Sequence, residues 1–376
     1  MRIAFDAKKI VKNFTGIGNY SRNLVNALSL YEPEIECHLM APSYGTEEAR
    51  QRLLNLDRLK FHYPAAIYRG LFQEVWRCKN VASDLTKANI DIYHGLSNEI
   101  PLGLNGVCKM VVTIHDLIVL RHPELYGKFA RYILEKKTRY ACYNADIVIA
   151  ISQQTKADIL KYYNIPESKI RVMYQGCDEI FRNKANSSEI KAVKNKYNLP
   201  DEYILSVGTF EPRKNHIGII KALANTANLH LVLAGKPTAY VETLKQCAKS
   251  NRVENRVHFI SNVPQKELPS LYQGSKVFVY LSYFEGFGIP VLEAITSGVP
   301  VIAATGSCLQ EAGGPDQLYC NPYDAYEFAD KLNAVFKDSE LRDRMIEKGF
   351  KYSQNFTSDK IAYNMNAIYE SLMNSK

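Results

Sequence analysis

The sequence predicts an α/β protein built from two doubly wound parallel sheets, and three features support this fold class. Short apolar, β-branched runs alternate with segments of helical periodicity along most of the chain, which is typical of parallel strands joined by helices. The alternation breaks at a polar stretch, residues 176–200, and then restarts. At 376 residues the chain also exceeds the usual size of one hydrophobic core. We therefore expect two Rossmann-like domains, 1–180 and 190–357, linked by that stretch, and a last helix at about 358–376.

Both halves of the chain contain the strands and helices that such sheets need. In the first half, a loop joins the first strand to the first helix, and the predicted helices are Thr15–Tyr31, Arg69–Ala88, Pro123–Asn144 and QQTKADILKYYN. The predicted strands there are MRIAFDA, IECHLMA, LKFHY, IDIYHGL, KMVVTIHDL, DIVIAIS and KIRVMYQG. In the second half they are YILSVG, LHLVLAG, VHFIS, KVFVYLS and PVIAAT, and the chain is expected to be helical from about residue 324. Ligands bind at the carboxyl ends of such strands, so two facing sheets predict an active site in the cleft between the domains.

Composition and charge limit the class of protein. The net charge of +8 suggests nucleic acid as a partner. No basic run or nucleic-acid module is recognisable, however, and a phosphorylated substrate or an anionic membrane surface explains the charge as well. No run of about 20 apolar residues is present, and the first residues lack the apolar region of a signal peptide, so we expect a cytoplasmic protein. The eight cysteines and eight histidines show no metal-ligand spacing, which predicts free thiols and no bound metal.

The most informative stretch is Tyr283–Gly298, YFEGFGIPVLEAITSG, which follows a predicted strand and continues into a predicted helix. Glu285 lies in its glycine loop and Glu293 in its helix. If the whole stretch were helical, these positions would lie about 12 Å apart, whereas the two acids of a glycosidase stand about 5–9.5 Å apart. The loop could shorten that distance, but it is a poor way to aim two acids at one bond. Between them, a helix N-terminus with accessible glycine amides is a ready anion site. A carboxylate on each side of an anion site suits a nucleotide-sugar, which carries a sugar, a diphosphate and a ribose.

Two glutamates separated by seven intervening residues, in EGFGIPVLEAITSGVPVIA, resemble the signature of retaining glycosyltransferases of the GT4 type, which have the GT-B fold. The resemblance extends over nearly the whole chain. It implies that Glu285 contacts the transferred hexose, that Glu293 contacts the ribose, and that the last helix packs back on the first domain. The other donor-binding residues expected here are Gly286, Phe287, Gly288 and Ile289. The alternative is an ordinary βαβ unit with two surface glutamates.

A basic pair follows the first predicted strand of the second half, in GTFEPRKN. Arg213 and Lys214 are therefore expected to project from a strand end, where adjacent cations suit a diphosphate. Their effect would be largest when the leaving diphosphate gains charge in the transition state. The resemblance assigns a basic pair at this position to the diphosphate. The alternative is a solvated pair in a turn.

Glycines open the first long helix, in TGIGNY. Backbone amides at Gly16 and Gly18 are expected to face a donor phosphate, and Asn19 is a possible acceptor contact. A lone GxG is weak evidence, and Ser21 replaces the third glycine of a dinucleotide fingerprint, which argues against an NAD enzyme. The alternative is that both glycines serve only the turn and the helix start.

Three further positions come mainly from the resemblance. His115 ends a predicted strand, and the resemblance implies a contact with the hexose, which we favour over a role as general base. Asp116 either orients that ring or binds the acceptor. Val263, in FISNVPQKEL, is expected to lie near the nucleotide base.

A basic and aromatic region at 121–139 is a candidate for peripheral contact with anionic lipid at the inner face of the membrane. Its cations are interleaved with tyrosines, although such a face is more often simply solvated. The segments around Tyr68–Arg69 and Trp76–Arg77 are a second candidate.

The sequence thus predicts a retaining, metal-independent hexosyltransferase without a cofactor, in which the leaving phosphate accepts the proton of the acceptor. Its motifs most resemble mannosyltransferases that use GDP-mannose for surface polysaccharide, with a sugar on a lipid-linked intermediate as acceptor. UDP-glucose and UDP-N-acetylglucosamine are the alternative donors. Alternatives from other classes are a nucleotide-sugar-binding protein without turnover, a hydrolase that uses Glu285 and Glu293, and a basic nucleic-acid binder.

Overall fold

The computed structural model describes residues 1–68, 70–226 and 228–374. The chain forms two compact units, Met1–Gly176 together with Phe356–Lys376, and Cys177–Asn355. In each unit, helices flank one sheet whose strands are all parallel, so the predicted fold class is confirmed. Among the described residues, no helix is both long enough and apolar enough to cross a membrane.

The first unit contains a seven-stranded sheet in the order β3-β2-β1-β4-β5-β6-β7. Its strands are β1 (Arg2–Asp6), β2 (Glu36–Met40), β3 (Leu59–His62), β4 (Ile92–Gly95), β5 (Lys109–Ile114), β6 (Ile147–Ala150) and β7 (Ile170–Val172). The strand order reverses direction between β1 and β4. In doubly wound sheets, ligands bind at the carboxyl ends of the strands next to such a reversal. Apolar side chains on both faces of the strands are buried, because helices cover both faces.

The helices of this unit match most of the predicted segments. They are α1 (Lys8–Lys12), α2 (Gly16–Tyr31), α3 (Glu47–Gln51), α4 (Gln73–Val75), α5 (Val81–Lys87), α6 (Ile118–Arg121), α7 (Lys128–Asn144), α8 (Gln153–Tyr163) and, from the end of the chain, α17 (Ser358–Asn374). Two expectations were wrong in part. The predicted loop after β1 contains α1, and the predicted helix from Pro123 begins with a 3₁₀ turn, Pro123–Leu125, before α7.

The prediction of a single long helix over Arg69–Ala88 was also wrong. The described residues there form a 3₁₀ turn, α4, a π-helix at Trp76–Asn80 and α5. The π-helix carries the buried Arg77, whose guanidinium donates to Asp6 at 2.8 Å and pairs with Glu99 at 2.9 Å. A buried cation needs such partners. The backbone around Arg77 forms a π-helix that brings the guanidinium to them, and helical periodicity in the sequence does not reveal this.

The last helix, α17, packs on the first unit and its apolar face joins the core there. The buried Tyr369 hydroxyl lies 2.7 Å from His94 Nδ1, and His94 Nε2 lies 2.8 Å from the Thr113 hydroxyl. Asn366 donates to the carboxylate of Glu32, at the end of α2, at 2.8 Å. These contacts tie the end of the chain to strands β4 and β5 and to α2.

The second unit contains a six-stranded sheet in the order β10-β9-β8-β11-β12-β13. Its strands are β8 (Ile204–Val207), β9 (Leu231–Ala234), β10 (Val257–Ile260), β11 (Val277–Tyr280), β12 (Val301–Ala304) and β13 (Leu318–Cys320). Its helices are α9 (Ser187–Lys196), α10 (His216–Leu223), α11 (Tyr240–Ser250), α12 (Leu268–Gln273), α13 (Ile289–Thr296), α14 (Leu309–Gly313), α15 (Ala325–Lys337) and α16 (Ser339–Ser353). The short edge strand β13 was not predicted from the sequence.

The polar stretch 176–200 is more ordered than a linker. It contains α9, whose N-cap Asn186 forms a capping box with Glu189. The stretch is polar although it is helical, because only one side of α9 packs on the unit and the other side is exposed.

Candidate active site

The loop between β11 and α13 has a conformation that requires glycine, and a buried thiol contacts two of its carbonyl oxygens. Gly288 has φ +113°, and a Cβ there would lie 2.7 Å from Leu309 Cδ2, so only glycine fits without strain. The buried Cys308 thiol lies 3.1 Å from the carbonyl oxygen of Glu285 and 3.2 Å from that of Phe287, both of which are acceptors. Helix α13 then begins at Ile289. The loop residues Gly286 to Ile289 thus lie at a helix N-terminus.

Arg213, Lys214 and Glu285 form one ion-pair cluster. The Glu285 carboxylate oxygen Oε1 lies 2.7 Å from Arg213 Nη1 and 2.7 Å from Lys214 Nζ. The two loops meet because β8 and β11 are neighbouring strands. The carbonyl oxygen of Arg213 accepts hydrogen bonds from the Tyr283 amide at 2.9 Å and the Ser282 hydroxyl at 3.1 Å. The structure therefore brings these three predicted residues together at the carboxyl end of one sheet.

The charges in this cluster stabilise one another. Burial alone would raise the pKa of Glu285, but the Lys214 ammonium and the Arg213 guanidinium outweigh burial and lower this pKa to about 2. Burial lowers the pKa of Lys214, and the nearby Glu285 carboxylate opposes that shift. Burial likewise works against the Arg213 cation, but Glu285 raises its pKa above the ordinary value. Arg213 also pairs with Glu211 at 2.6 Å.

Glu293 has a different environment. Its carboxylate accepts one hydrogen bond from the Tyr272 hydroxyl at 2.8 Å and has no ion pair in the described part of the chain. Burial raises the pKa of Glu293 to about 7, against a smaller lowering by that hydrogen bond. Two residues on one loop–helix segment therefore carry carboxyl groups with widely separated pKa values, because only one of them faces cations. Val263 is half-buried in the loop after β10.

The two glycines at the start of α2 differ in their surroundings. A Cβ at Gly18 would lie 2.0 Å from the carbonyl oxygen of Asn13, and the Gly18 amide donates to Asn13 Oδ1 at 3.2 Å. A Cβ at Gly16 would meet no atom within 4 Å. Gly18 is thus explained by local packing, whereas Gly16 lies in open space. The side-chain oxygen of Asn19 accepts from Arg22 at 2.7 Å.

His115 follows β5 and is buried and neutral. Its Nε2 donates to the carbonyl oxygen of Leu96 at 2.8 Å, and its Nδ1 accepts from the Gln175 amide at 3.1 Å. Burial lowers the pKa of His115 to about 4. A contact between a ring nitrogen and a sugar hydroxyl therefore requires Gln175 to release Nδ1. Asp116 is half-buried, and its Oδ1 accepts from the Ile118 amide at 3.0 Å.

The candidate membrane region contains an unusually exposed helix start. Phe129 is 78% exposed and Tyr132 59%, and both lie on α7 beside the exposed Ile133 and Leu134. Three of the six cations at 121–139 are engaged, since Arg121 pairs with Asp158, Lys137 with Glu99 and Arg139 with Glu135. Among the described residues, Lys128, Arg131 and Lys136 have no ion pair. We call Lys128, Phe129, Arg131, Tyr132, Ile133, Leu134 and Lys136 the α7 surface.

The second candidate for membrane contact is contradicted in part. Trp76 and Arg77 are buried, and Trp76 Nε1 donates to Asp84 at 2.7 Å, so neither is available at the surface. Arg69 lies outside the described residues. The sequence suggested membrane contact here, but the tryptophan and arginine side chains are both buried.

Sequence reasoning missed the tyrosines that bind the candidate acids. Tyr280 contacts Lys214 and Glu285, and Tyr272 contacts Glu293. A signal for Tyr280 exists, because it is the last residue of a buried parallel strand, where side chains reach a ligand site. No pattern in the sequence points to Tyr272.

Two family models match the chain one after the other. Residues 14–180 match the model described as Glycosyltransferase Family 4, and residues 187–352 match the one described as Glycosyl transferases group 1. The chain belongs to the GT4-type glycosyltransferases. This glycosyltransferase is similar to O-antigen chain mannosyltransferase B of Escherichia coli, with 27% identity over 95% of this chain and 96% of that protein. It is 29% identical to the serotype-specific mannosyltransferase WbdA of Escherichia coli over 73% of this chain but only 36% of WbdA.

Shorter and structural similarities agree with this assignment. The O-antigen chain mannosyltransferase RfbU of Salmonella typhimurium is 31% identical over 57% of this chain and 58% of its own length. A glycosyltransferase from Rickettsia africae aligns with a TM-score of 0.76 and 17% identity over 100% of this chain and 99% of that structure. Anabaena HepE in complex with UDP-glucose aligns with a TM-score of 0.74 and 18% identity over 99% of this chain and 100% of that structure. At these identities the structures show the fold alone, which is GT-B.

Proposed function

We propose that this glycosyltransferase transfers a hexose, with mannose from GDP-mannose as the favoured donor, to a sugar acceptor with retention of configuration and without a metal. The acceptor is a lipid-linked oligosaccharide in O-antigen or other surface polysaccharide synthesis. The single observation that carries the proposal is the cluster of Arg213, Lys214 and Glu285 at the carboxyl ends of β8 and β11.

The cluster is suited to a departing diphosphate. The planar guanidinium of Arg213 can donate two hydrogen bonds to the diphosphate, and the Lys214 ammonium acts as a point charge. Both side chains are largely buried, and electrostatic stabilisation is stronger in a site from which water is excluded. Without donor, Glu285 supplies the negative charge that these cations need. With donor, the diphosphate supplies it, and the Glu285 carboxylate becomes available to the hydroxyls of the hexose.

The pKa values favour front-face attack over a covalent intermediate. Without donor, two cations share the Glu285 carboxylate and lower its pKa to about 2, so it carries no proton and is a weak base. The ring of His115 has a pKa of about 4 and donates from Nε2, so it is also a weak base and is better suited to a sugar contact. The proton of the acceptor hydroxyl then passes to the leaving phosphate.

Glu293 supports a nucleotide with ribose hydroxyls. A half-buried carboxylate with one neutral hydrogen-bond partner has acceptor capacity left over, and leaving it ionised is unfavourable. Two ribose hydroxyls are donors that would satisfy it. The ribose is present in both GDP and UDP donors, so this residue does not select the base.

Mannose is favoured because one relative that matches over 96% of its own length and two partial relatives are named mannosyltransferases. UDP-glucose and UDP-N-acetylglucosamine remain the alternative donors, and Anabaena HepE was solved with UDP-glucose. A binding protein without turnover is the further alternative. The alternative donors make different predictions in the following experiment, whereas product formation with an acceptor separates an enzyme from a binding protein.

A thermal-shift panel of nucleotides and nucleotide-sugars tests the donor. At about 100 times its dissociation constant, a ligand adds roughly 2.7 kcal/mol to the free energy of unfolding. We expect GDP-mannose and GDP to raise the melting temperature by several degrees, and UDP-glucose and UDP-N-acetylglucosamine to raise it less. A larger shift with the uridine series would overturn the choice of donor, and no shift with any nucleotide would overturn the proposed function.

We also propose that the α7 surface rests on anionic lipid, which would bring the enzyme to a lipid-linked acceptor. Phe129, Tyr132 and Ile133 lie at helical spacing on one side of α7, next to cations without an ion pair in the described part of the chain. An isolated exposed aromatic residue is normal, whereas two helix turns, residues 128–134, in which every residue is exposed and four carry large apolar side chains are not.

Co-sedimentation with vesicles tests this contact. We expect the wild type to bind vesicles that contain phosphatidylglycerol and not pure phosphatidylcholine. Each cation near an anionic surface contributes about 1 kcal/mol, so Lys128→Glu with Arg131→Glu should reduce binding about tenfold or more. Phe129→Ser with Tyr132→Ser should also reduce it. The matched control is Tyr323→Ser with Tyr326→Ser, two tyrosines that are 77% and 74% exposed in the second unit. Equal binding by all variants would contradict the proposal.

A further inference from the structure

We propose that Tyr280 is a positioning residue that holds the Lys214 ammonium and the Glu285 carboxylate in place for the donor diphosphate. This inference rests on the proposed function and extends it by one residue. Tyr280 is the last residue of β11 and is 3% exposed. Its hydroxyl lies 2.5 Å from Lys214 Nζ and 3.1 Å from Glu285 Oε1.

The chemistry of the three groups fixes the direction of each hydrogen bond. An ammonium only donates and an ionised carboxylate only accepts. The Tyr280 hydroxyl therefore accepts from Lys214 and donates to Glu285, while Lys214 also donates to Glu285 at 2.7 Å. The three groups form a closed triangle in which the phenol is the neutral bridge between cation and anion. A phenylalanine at this position would keep the ring and remove the bridge.

The triangle leaves the ammonium one donor. Lys214 has three N–H groups, and among the described residues two are directed to Tyr280 and Glu285. The third is available to a phosphate oxygen. When the diphosphate binds and Glu285 turns to the hexose, the Tyr280 hydroxyl remains as the partner that keeps Lys214 aimed at the phosphate.

Tyr280 is suited to this role because its own position is fixed. Its backbone is in the centre of the sheet, opposite Ala303 of β12. Its ring stacks on Phe278 with centroids 5.9 Å apart, and the Lys214 ammonium lies 4.9 Å from its centroid. A flexible lysine side chain is thereby attached to an inner strand of the sheet, which is paired on both sides. Burial and the Glu285 carboxylate raise the pKa of Tyr280 well above the ordinary value, so the phenol keeps its proton.

The test compares Tyr280→Phe with Tyr203→Phe. Tyr203 is also fully buried, and its hydroxyl donates to the Leu271 carbonyl oxygen at 2.7 Å, but it precedes β8 at the opposite edge of the same sheet. Calorimetry measures the affinity for GDP and for GMP, and steady-state kinetics measures kcat/KM for GDP-mannose. If the donor panel selects uridine, UDP, UMP and the corresponding UDP-sugar take their place.

We expect Tyr280→Phe to weaken GDP binding and to lower kcat/KM about tenfold each, since hydrogen bonds to charged groups are the stronger ones. GMP affinity should change less than about twofold, because Lys214 serves the diphosphate. Tyr203→Phe should change neither. In a double-mutant cycle, Lys214→Met with Tyr280→Phe should lose no more GDP affinity than Lys214→Met alone.

The contradicting outcomes separate this inference from the proposed function. If the wild type binds GDP and Tyr280→Phe binds it equally well, the role of Tyr280 is overturned and the donor site stands. Equal losses of GDP and GMP affinity would also overturn it, because they indicate a distorted site. If the wild type binds neither GDP nor UDP, the proposed function fails and this inference fails with it.

Discussion

Replacing Lys214 by alanine lowers kcat/KM for the nucleotide-sugar by a factor of about 10²–10³, the loss typical of removing one preorganised group that stabilises transition-state charge. The physical reason is the desolvated position of the ammonium, 2.7 Å from Glu285 and predicted to face the leaving diphosphate. Steady-state kinetics with the donor identified by the thermal-shift panel measures the effect. Most of the loss should appear in kcat, because the negative charge on the leaving group increases during reaction.

Lys276→Ala is the matched control for this prediction. Lys276 is a lysine of the same unit, pairs with Glu202 at 2.8 Å, and lies just before β11 at the other end of that strand. Its removal should leave kcat and KM unchanged within about twofold, since exposed ion pairs contribute little. Wild-type kinetics in Lys214→Ala would contradict the assignment of the cluster to the diphosphate.

Replacing Glu293 by glutamine stabilises the protein at pH 8 and not at pH 4. The pKa of Glu293 is raised to about 7 by burial, above the ordinary value of 4.5. A carboxyl group with a raised pKa favours folding fully below about pH 4.5, and this contribution is lost as the pH rises through 7. Above pH 7 the ionised side chain therefore lowers the free energy of unfolding by up to about 3 kcal/mol, which glutamine avoids.

Thermal unfolding of both proteins across this pH range checks the prediction. At pH 8 the variant should melt several degrees higher, and at pH 4 the two should coincide, because a protonated glutamate and a glutamine have nearly the same shape. The same variant should bind GDP more weakly at pH 8, since the carboxylate is proposed to accept the ribose hydroxyls. If the difference in melting temperature between the two proteins does not vary with pH, the charge on Glu293 does not destabilise the folded protein.

Sequence reasoning predicted the layers and the loop positions well, because each depends on local signals. Buried parallel strands appear as apolar runs, and Gly288 marks the turn whose φ of +113° requires glycine. Arg213, Lys214 and Glu285 were expected near one another as residues that follow strands, and β8 and β11 prove to be neighbours. Their roles stay predictions, as do those of Gly16, Asn19, Asp116 and Val263.

The features of the site and fold that could not be predicted from the sequence depend on contacts between residues far apart in the chain. The partner of Glu293 is Tyr272, on the preceding helix, and the partner of His115 is Gln175, 60 residues later. The π-helix at Trp76–Asn80 depends on burying Arg77 against Asp6 at the end of β1. No periodicity within one segment encodes such pairs, so the pKa values of the candidate acids could not be ordered from the sequence.

The central claim is that this chain transfers a hexose from a nucleotide-sugar through the cluster of Arg213, Lys214 and Glu285. Proton NMR of GDP-mannose with the protein and a lipid-linked glycan acceptor tests it most directly. The account predicts that GDP and an α-linked mannosyl product appear together, and only when acceptor is present. Free mannose released without acceptor would identify a hydrolase, and an unchanged spectrum with every donor of the panel would contradict the account.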